Sequence, residues 1–350
     1  MSTFTRRRLV VSTLSAAAGA AALAALGSGA AFAQATPGAS PATTDAGVTD
    51  SFPVTIKHVY GETVIEAAAT RVVTLGWSTQ DAVIALGVDP VGIPANTWGG
   101  DAEGFLPWTR TALEGRTLPT ILDTGTEIPF EVVAGLKPDL ILAPYSGITQ
   151  DEYGTLSKIA PTVAYADVAW GTSWQDDQTI TGKALGRSAA AQKLVTDTEA
   201  LIASQTDKYP QLKGKTFAYG NMGDGTAFNF YTTTDARSLF LTAIGLEPSA
   251  FTKSLDAKAG ATAYFVQISL ELANTIEADI VVMWFGSEDD YKKAQENTAF
   301  QAIPAVKDGR FAAVVGESLV MASSAFSVLS IPYMLDQFIP TLAAAADKVK

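Results

Sequence analysis

Polar and apolar positions alternate through Val54-Thr-Ile-Lys-His-Val-Tyr-Gly-Glu-Thr-Val-Ile65, with Gly61 inside the run. Period-two alternation around a glycine predicts a β-hairpin. Downstream, short β-rich runs alternate with helical ones. Arg71-Val-Val-Thr-Leu75 precedes a helical run from Thr79 to Leu86, and the helical run Val132 to Leu136 precedes Asp139-Leu-Ile-Leu-Ala143. Such alternation predicts α/β layers around mainly parallel sheets. Ser173 can cap a helix with Asp176 in its first turn, and Gly186 can end it. Ser188 opens a second helix with Leu194, Val195, Leu201, Ile202 and Tyr209 on one stripe, stopped by Pro210. About 20 residues at 1.5 Å per residue reach roughly 30 Å, the width of a small domain. One long helix of that length is a stiff bridge and favours modest lobe movement over wide closure.

An internal duplication organises the rest. Ala85-Leu-Gly-Val-Asp-Pro90 reappears as Ala243-Ile-Gly-Leu-Glu-Pro248. Phe130-Glu131, Leu136 and Asp139-Leu-Ile-Leu142 reappear as Leu270-Glu271, Ile276 and Asp279-Ile-Val-Val282. The first half is longer between its motifs, and the tryptophan-bearing segment 98–119 is the expected insertion. The reading is two related α/β lobes, 52–172 and 211–350, joined by an interlobe helical segment at 173–210. Residues 34–51 (QATPGASPATTDAGVTDS) have the composition of a flexible linker.

Composition narrows the function. The 350-residue chain is 47% hydrophobic and 17% charged, which is globular and not disordered. It has no cysteine and one histidine, which excludes a disulfide scaffold, a thiolate metal site, a cysteine nucleophile and a multi-histidine metal centre. A net charge of -12 argues against a nucleic-acid partner. At the N-terminus, Thr5-Arg6-Arg7-Arg8-Leu9-Val10 leads into an Ala/Leu-rich run that ends at Ala31-Phe32-Ala33. This is expected to be a twin-arginine export peptide spanning 1–33, cleaved after Ala33. Its removal takes three arginines and no acid, leaving a still more acidic exported chain with six arginines.

The motifs together resemble the iron-siderophore substrate-binding proteins of ABC transporters. The resemblance rests on the opening hairpin with Arg71-Val-Val-Thr-Leu75, on Asp81-Ala-Val-Ile-Ala-Leu-Gly-Val-Asp-Pro-Val-Gly92 and on Glu131-x5-Lys137-Pro138-Asp139-Leu-Ile. Ile159-Ala-Pro-Thr-Val163 and Lys183-Ala-Leu-Gly-Arg187 extend it, so that it covers essentially residues 52–345. The tryptophan-rich insertion and Trp170-Gly-Thr-Ser-Trp174 look like the actinobacterial branch. The resemblance implies two lobes bridged by a helix, a ferric siderophore held in the cleft, and delivery to ABC permease subunits by an exported monomer. No enzyme activity, cofactor or protein-bound metal is implied, because the iron travels inside the ligand. Without a lipobox cysteine, this chain departs from Gram-positive relatives in how it would be retained at the cell surface.

Ligands of open α/β sheets bind at the carboxyl ends of strands. Those ends place Trp77, Tyr145, Tyr231, Trp284 and Phe285 at the expected cleft. The insertion adds Trp98, Trp108 and Arg110, the approach to the interlobe helix adds Trp170, and Arg237 is the second cationic candidate. With six arginines an anion cage built of many arginines is not expected, which tilts the reading toward a neutral or less charged chelate, hydroxamate-like or mixed. On the family pattern, Glu131 and Glu271 are the acids, one per lobe, that meet permease arginines. A haem or cobalamin receptor of the same fold is the alternative, with Tyr145 or Tyr231 as axial ligand; an exported enzyme or an adhesion protein are further alternatives. Gly220-Asn-Met-Gly-Asp-Gly225 reads as a hairpin turn, since strand follows it where a phosphate loop needs a helix. His58 reads as structural, and Glu288-Asp289-Asp290 as a helix start. No nucleophile elbow is present.

Overall fold

The computed structural model describes residues 47–125, 127–259 and 263–350. The expected export peptide and most of the expected linker lie outside them. The hairpin forms as expected from β1 (Val54–His58) and β2 (Gly61–Ile65), its inward positions buried and its outward ones exposed. Then come β3 (Val72–Thr74), α1 (Thr79–Ala85), β4 (Gly92–Pro94), α2 (Pro107–Ala112) and β5 (Thr120–Leu122). The first half closes with α3 (Phe130–Gly135), β6 (Leu140–Leu142), α4 (Gln150–Leu156) and β7 (Thr162–Val163). These strands form one fully parallel sheet in the order β5-β4-β3-β6-β7.

Two helices follow, α5 (Trp174–Ala184) and α6 (Ser188–Thr206). The Ser173 hydroxyl accepts the Asp176 N–H at 3.0 Å, and Gly186 turns the chain at φ +69°, as the capping pattern predicts. α5 packs on α1 and β1, while α6 runs on between α5 and the last helix of the chain. α6 has no cap of its own at Arg187. Asp50 supplies one instead, its carboxylate accepting the Ser188 N–H at 3.1 Å and the Ser188 hydroxyl. The Thr49 and Asp50 N–H groups donate to the Gly186 carbonyl. The packed chain thus reaches back into the tail of the segment read as a tether.

The second half comprises β8 (Thr216–Asn221), β9 (Ala227–Tyr231), α7 (Ala236–Ala243), β10 (Glu247–Pro248), α8 (Ala250–Ala259) and β11 (Phe265–Ser269). A 3-10 turn (Leu270–Thr275), β12 (Ile280–Phe285), α9 (Glu288–Glu296), α10 (Thr298–Ala302) and α11 (Pro304–Lys307) come next. β13 (Phe311–Val315), α12 (Glu317–Ala322) and α13 (Ser330–Ala346) end it. The sheet order is β11-β9-β8-β12-β13, with β10 sharing the β9 edge of β8. The β8–β9 and β9–β11 pairs are antiparallel and the others parallel, so this sheet is mixed where the first is pure. No helix among the described residues is long and apolar enough to cross a membrane.

The duplicated motifs do the same structural work twice. α1 and α7 both end on a left-handed glycine, Gly87 at φ +77° and Gly245 at φ +94°. In each, the next N–H reaches back to the carbonyl five residues earlier. Asp139 and Asp279 both clamp the start of the neighbouring strand. Asp139 accepts the Thr70 N–H and hydroxyl at 2.9 and 2.7 Å and the Arg71 N–H at 2.8 Å. Asp279 accepts the Thr216 N–H and hydroxyl at 2.8 and 2.9 Å. Burial opposes both charges, but the backbone donors outweigh it and hold both carboxyls below the usual range.

Residues alternate between two packing faces along the buried strands. Ile280 and Val282 join a continuous core that includes Val72, Leu140, Phe217 and Ile339, residues from both halves of the chain. Val281, Met283 and Phe285 point the other way, into a core confined to the second half. The alternation decides which strand-end aromatics reach the site.

Candidate functional site

In the first sheet the chain steps from β3 to β4 and β5 on one side and returns to β6 and β7 on the other, so the crevice opens beyond β3 and β6. Trp77 follows β3 and Tyr145 follows β6, and the Trp77 N–H points to the Tyr145 carbonyl at 3.4 Å. Trp170 joins them from the approach to α5. Its N–H donates to the Ser146 carbonyl at 2.9 Å, and its indole lies 5.1 Å from that of Trp77 and edge-on to Tyr145 at 5.9 Å. Tyr145 is buried, whereas Trp77 and Trp170 are 43% and 41% exposed. Two large indoles left facing solvent beside each other are a contact surface awaiting a partner.

The second sheet contributes a hydrogen-bonded cluster at its own strand ends. The Tyr231 hydroxyl, at the end of β9, accepts the Trp284 Nε1–H at 2.7 Å and the Asn221 Nδ2–H at 3.1 Å. The Arg237 guanidinium lies over the Tyr231 ring, 4.2 Å from its centre. It pairs with Asp235 at 2.9 Å and donates from Nε to the Ser324 hydroxyl at 3.0 Å. Asp235 is also the N-cap of α7, accepting the Arg237 N–H at 2.9 Å. Burial works against the Arg237 charge, but Tyr231, Asp235, Tyr219 and Tyr145 together hold its proton more firmly than usual. Tyr145 belongs to the first cluster, so Arg237 acts on both.

The insertion between β4 and β5 brings the first half of the chain to the second cluster. Trp98 meets Trp284 edge-on at 5.9 Å. Next to it, the Gly99 N–H donates to Glu317 Oε2 at 3.0 Å, and the Ser318 hydroxyl donates to the Gly99 carbonyl at 2.7 Å. A loop of the first half is thereby clamped to the first turn of α12 in the second. Trp77, Tyr145 and Trp170 form one cluster, and Trp98, Tyr231, Arg237 and Trp284 form a second.

Three expected site residues do not join them. Trp108 is only 2% exposed; its Nε1–H donates to Asp81 at 2.7 Å and its ring packs on Tyr333, so it is core. Arg110 turns to the acids of its own loop, Asp101 at 2.8 Å and Glu103 at 2.5 Å, and covers the Phe105 ring. Phe285 follows Trp284 on β12 and takes the opposite face, buried against Tyr291, Phe300 and Phe311. Conversely, the polar groups that orient the rings, Asn221, Asp235, Glu317 and Ser324, are absent from the sequence reading. Asp235 carried a usable signal, an aspartate two residues before Arg237 in N-cap position. Glu317 and Ser324 meet the site only through the fold.

Glu131 is exposed in the first turn of α3. Glu271 is exposed in the first turn of the 3-10 segment, where an α-helical start was expected. Exposed aliphatics, Val132 and Leu272, adjoin them. His58 is buried in the hairpin, its Nε2 3.0 Å from the Thr63 hydroxyl and its Nδ1 accepting the Tyr60 N–H; burial lowers its pKa. Residues 222–226 make a β8–β9 turn, and Glu288-Asp289-Asp290 open α9 behind the Ser287 cap. Among the described residues no group of three or more His, Asp or Glu is placed to hold a metal ion.

Two fully buried carboxylates, Asp81 and Asp177, have no counterpart among the residues expected from the sequence. Asp177 of α5 accepts the Ser78 and Thr79 hydroxyls, each at 3.0 Å. Asp81 of α1 accepts Trp108 Nε1–H and the Thr109 and Ser327 hydroxyls, each at 2.7 Å. Burial pushes Asp81 up to about 6 and Asp177 up to about 7, and the Asp81 charge adds to the Asp177 shift.

The family model described as periplasmic binding protein matches residues 72–314. The chain belongs to this family. Among solved periplasmic binding proteins it is similar to PiaA of Streptococcus pneumoniae TIGR4, a structure in complex with ferrichrome. That chain is 32% identical, with 85% of this chain and 99% of PiaA covered and a TM-score of 0.76. A periplasmic solute binding protein of Mycobacterium smegmatis MC2 155 is 28% identical over 84% of this chain and 99% of its own, with a TM-score of 0.72. The Fe(3+) dicitrate-binding periplasmic protein FecB of Escherichia coli K12 is 26% identical over 273 residues, covering 76% of this chain and 84% of FecB. Periplasmic binding proteins bind solutes, and the α/β architecture described above is theirs.

Proposed function

We propose that this chain is an exported receptor for a ferric siderophore, held between the two aromatic clusters and passed to an ABC permease. The observation that carries the reading is the pair of solvent-facing indoles, Trp77 and Trp170, at the strand ends of the first sheet, with an arginine fixed over Tyr231 at a strand end of the second. A siderophore saturates its iron with its own oxygens, so the protein needs only to hold the periphery. Each aromatic ring offers about 150–250 Å² for that purpose. The likeness to ferrichrome-bound PiaA and to FecB supports an iron chelate as the solute. Arg237 is already balanced by Asp235, so the cluster offers donors with little net positive charge. That favours a neutral or weakly anionic chelate of hydroxamate type. Delivery rests on Glu131 and Glu271, one exposed acid for each permease subunit, and the receptor works as a monomer.

The haem alternative has a specific difficulty. An axial tyrosine binds iron as phenolate, yet burial pushes Tyr145 up to about 12 and raises Tyr231, whose oxygen already accepts two hydrogen bonds. The test is a titration of tryptophan fluorescence with ferrichrome, with its iron-free form and with haemin. Quenching by ferrichrome alone is the expected result. A shifted Soret band with haemin, or equal response to the iron-free chelator, would refute the reading.

A further inference from the structure

A cavity of about 740 Å³ opens between the second half of α6 and α7. α6 turns Ile202, Ala203 and Thr206 toward it; α7 turns Ala236, Leu239, Phe240 and Ala243. Both sets have the three- and four-residue spacing of a single helix face. Two apolar helix faces normally close on each other at 8–10 Å between axes. Here small residues on both walls leave room, and Leu239 stays 53% exposed. The volume falls within the range of small-molecule sites, about 300–1,000 Å³. Glu199, Asp207 and Lys213 also border it, so its mouth is charged while its helix walls are mostly apolar.

One wall of the cavity is shared with the ring clusters. Tyr145 forms part of its wall, and the same ring meets Trp170 in the indole cluster. α7 is shared as well, with Arg237 directed at Tyr231 while Ala236 and Phe240 line the cavity. The apolar lining therefore begins where the ring cluster ends. We propose that the chelate recognised here carries an acyl or alkyl arm, and that the space between α6 and α7 receives it. This rests on the chelate-binding reading of the aromatic clusters.

The test uses ferric desferrioxamine B, the same chelate acylated with a dodecanoyl chain on its free amine, and dodecanoate alone. Each is titrated calorimetrically into the wild-type protein and into Ala203→Phe and Ala243→Phe, which fill the cavity without touching the ring clusters. Because buried methylenes add up, the acylated chelate is expected to bind the wild type about tenfold tighter or better. That advantage is expected to vanish in both filled variants, while the plain chelate binds all three proteins alike and so reports an intact fold. Equal affinity of the two chelates for the wild type overturns the arm and leaves the chelate reading standing. An acyl advantage that survives in the filled variants also overturns it, as does dodecanoate matching the acylated chelate, which would make the cavity a separate lipid site. Binding of neither chelate removes the ring-cluster reading, and this inference with it.

Discussion

Trp170 adopts φ +60°, a left-handed value that bulky residues rarely take. It is held by the hydrogen bond to Ser146 and by the absence of a side chain at Gly147, where a Cβ would stand 2.4 Å from the indole Nε1. Gly147→Ala is therefore expected to push the indole off Trp77 and Tyr145 without unfolding the protein. The near-UV circular dichroism of the paired indoles should fall and ferric-chelate affinity with it, while the thermal midpoint stays put. Unchanged near-UV signal would show that Trp170 is placed by other means. At this scale the sequence reading places rings at strand ends, and the structure finds Trp77 there facing solvent and Tyr231 there buried. The reading failed where the residue next door decides. Phe285 lost the site because Trp284 took the outward face of β12. Arg110 lost it to Asp101 and Glu103, both visible in its own loop.

Elements were legible wherever a local signal fixes a boundary. The Ser173 cap, the Gly186 stop and the glycine ends of α1 and α7 were all present in the sequence. What joins elements was not. Asp50 capping α6 from outside, and the two buried acids linking α1 to α5, to α2 and to the Ser327 turn, depend on residues distant along the chain. Those acids give the protein a distinct pH response. Asp81 and Asp177 titrate at about 6 and about 7 when folded, against ordinary carboxyl values when unfolded. Between roughly pH 4 and 7 the folded state therefore holds more protons, and the contribution of these groups to stability declines as pH rises. Asp177→Asn removes the cost of burying that charge. Urea denaturation is expected to show the variant more stable than wild type at pH 8, with the gap closing at pH 4.5. A gap of the same size at both values would mean that Asp177 does not titrate in this range.

For the molecule as a whole, the duplication announced two related sheets, and Asp139 and Asp279 show why the motif repeats: each fastens a neighbouring strand. The proposed docking to a permease belongs to this scale, because it calls for one acid from each half held at a fixed separation. Reversing both charges with Glu131→Lys and Glu271→Lys is expected to leave ferric-chelate affinity unchanged and to abolish uptake by cells. Lost affinity would instead assign the two acids to ligand binding or to stability. The rigidity this requires comes from connections beyond α6. Asp81 reaches Ser327 near the start of α13, and the insertion loop is fastened to α12.

That last fastening has an evolutionary corollary. Glu317 and Ser318 grip only main-chain atoms of Gly99, and a Cβ at that position would lie 2.9 Å from the Glu317 carbonyl oxygen. Position 99 is consequently barred to other residues, while its neighbour at 98 can change identity without loosening the grip. Exchanging the ring at 98 can thus reshape the surface beside Trp284 while the anchorage beneath it stays intact.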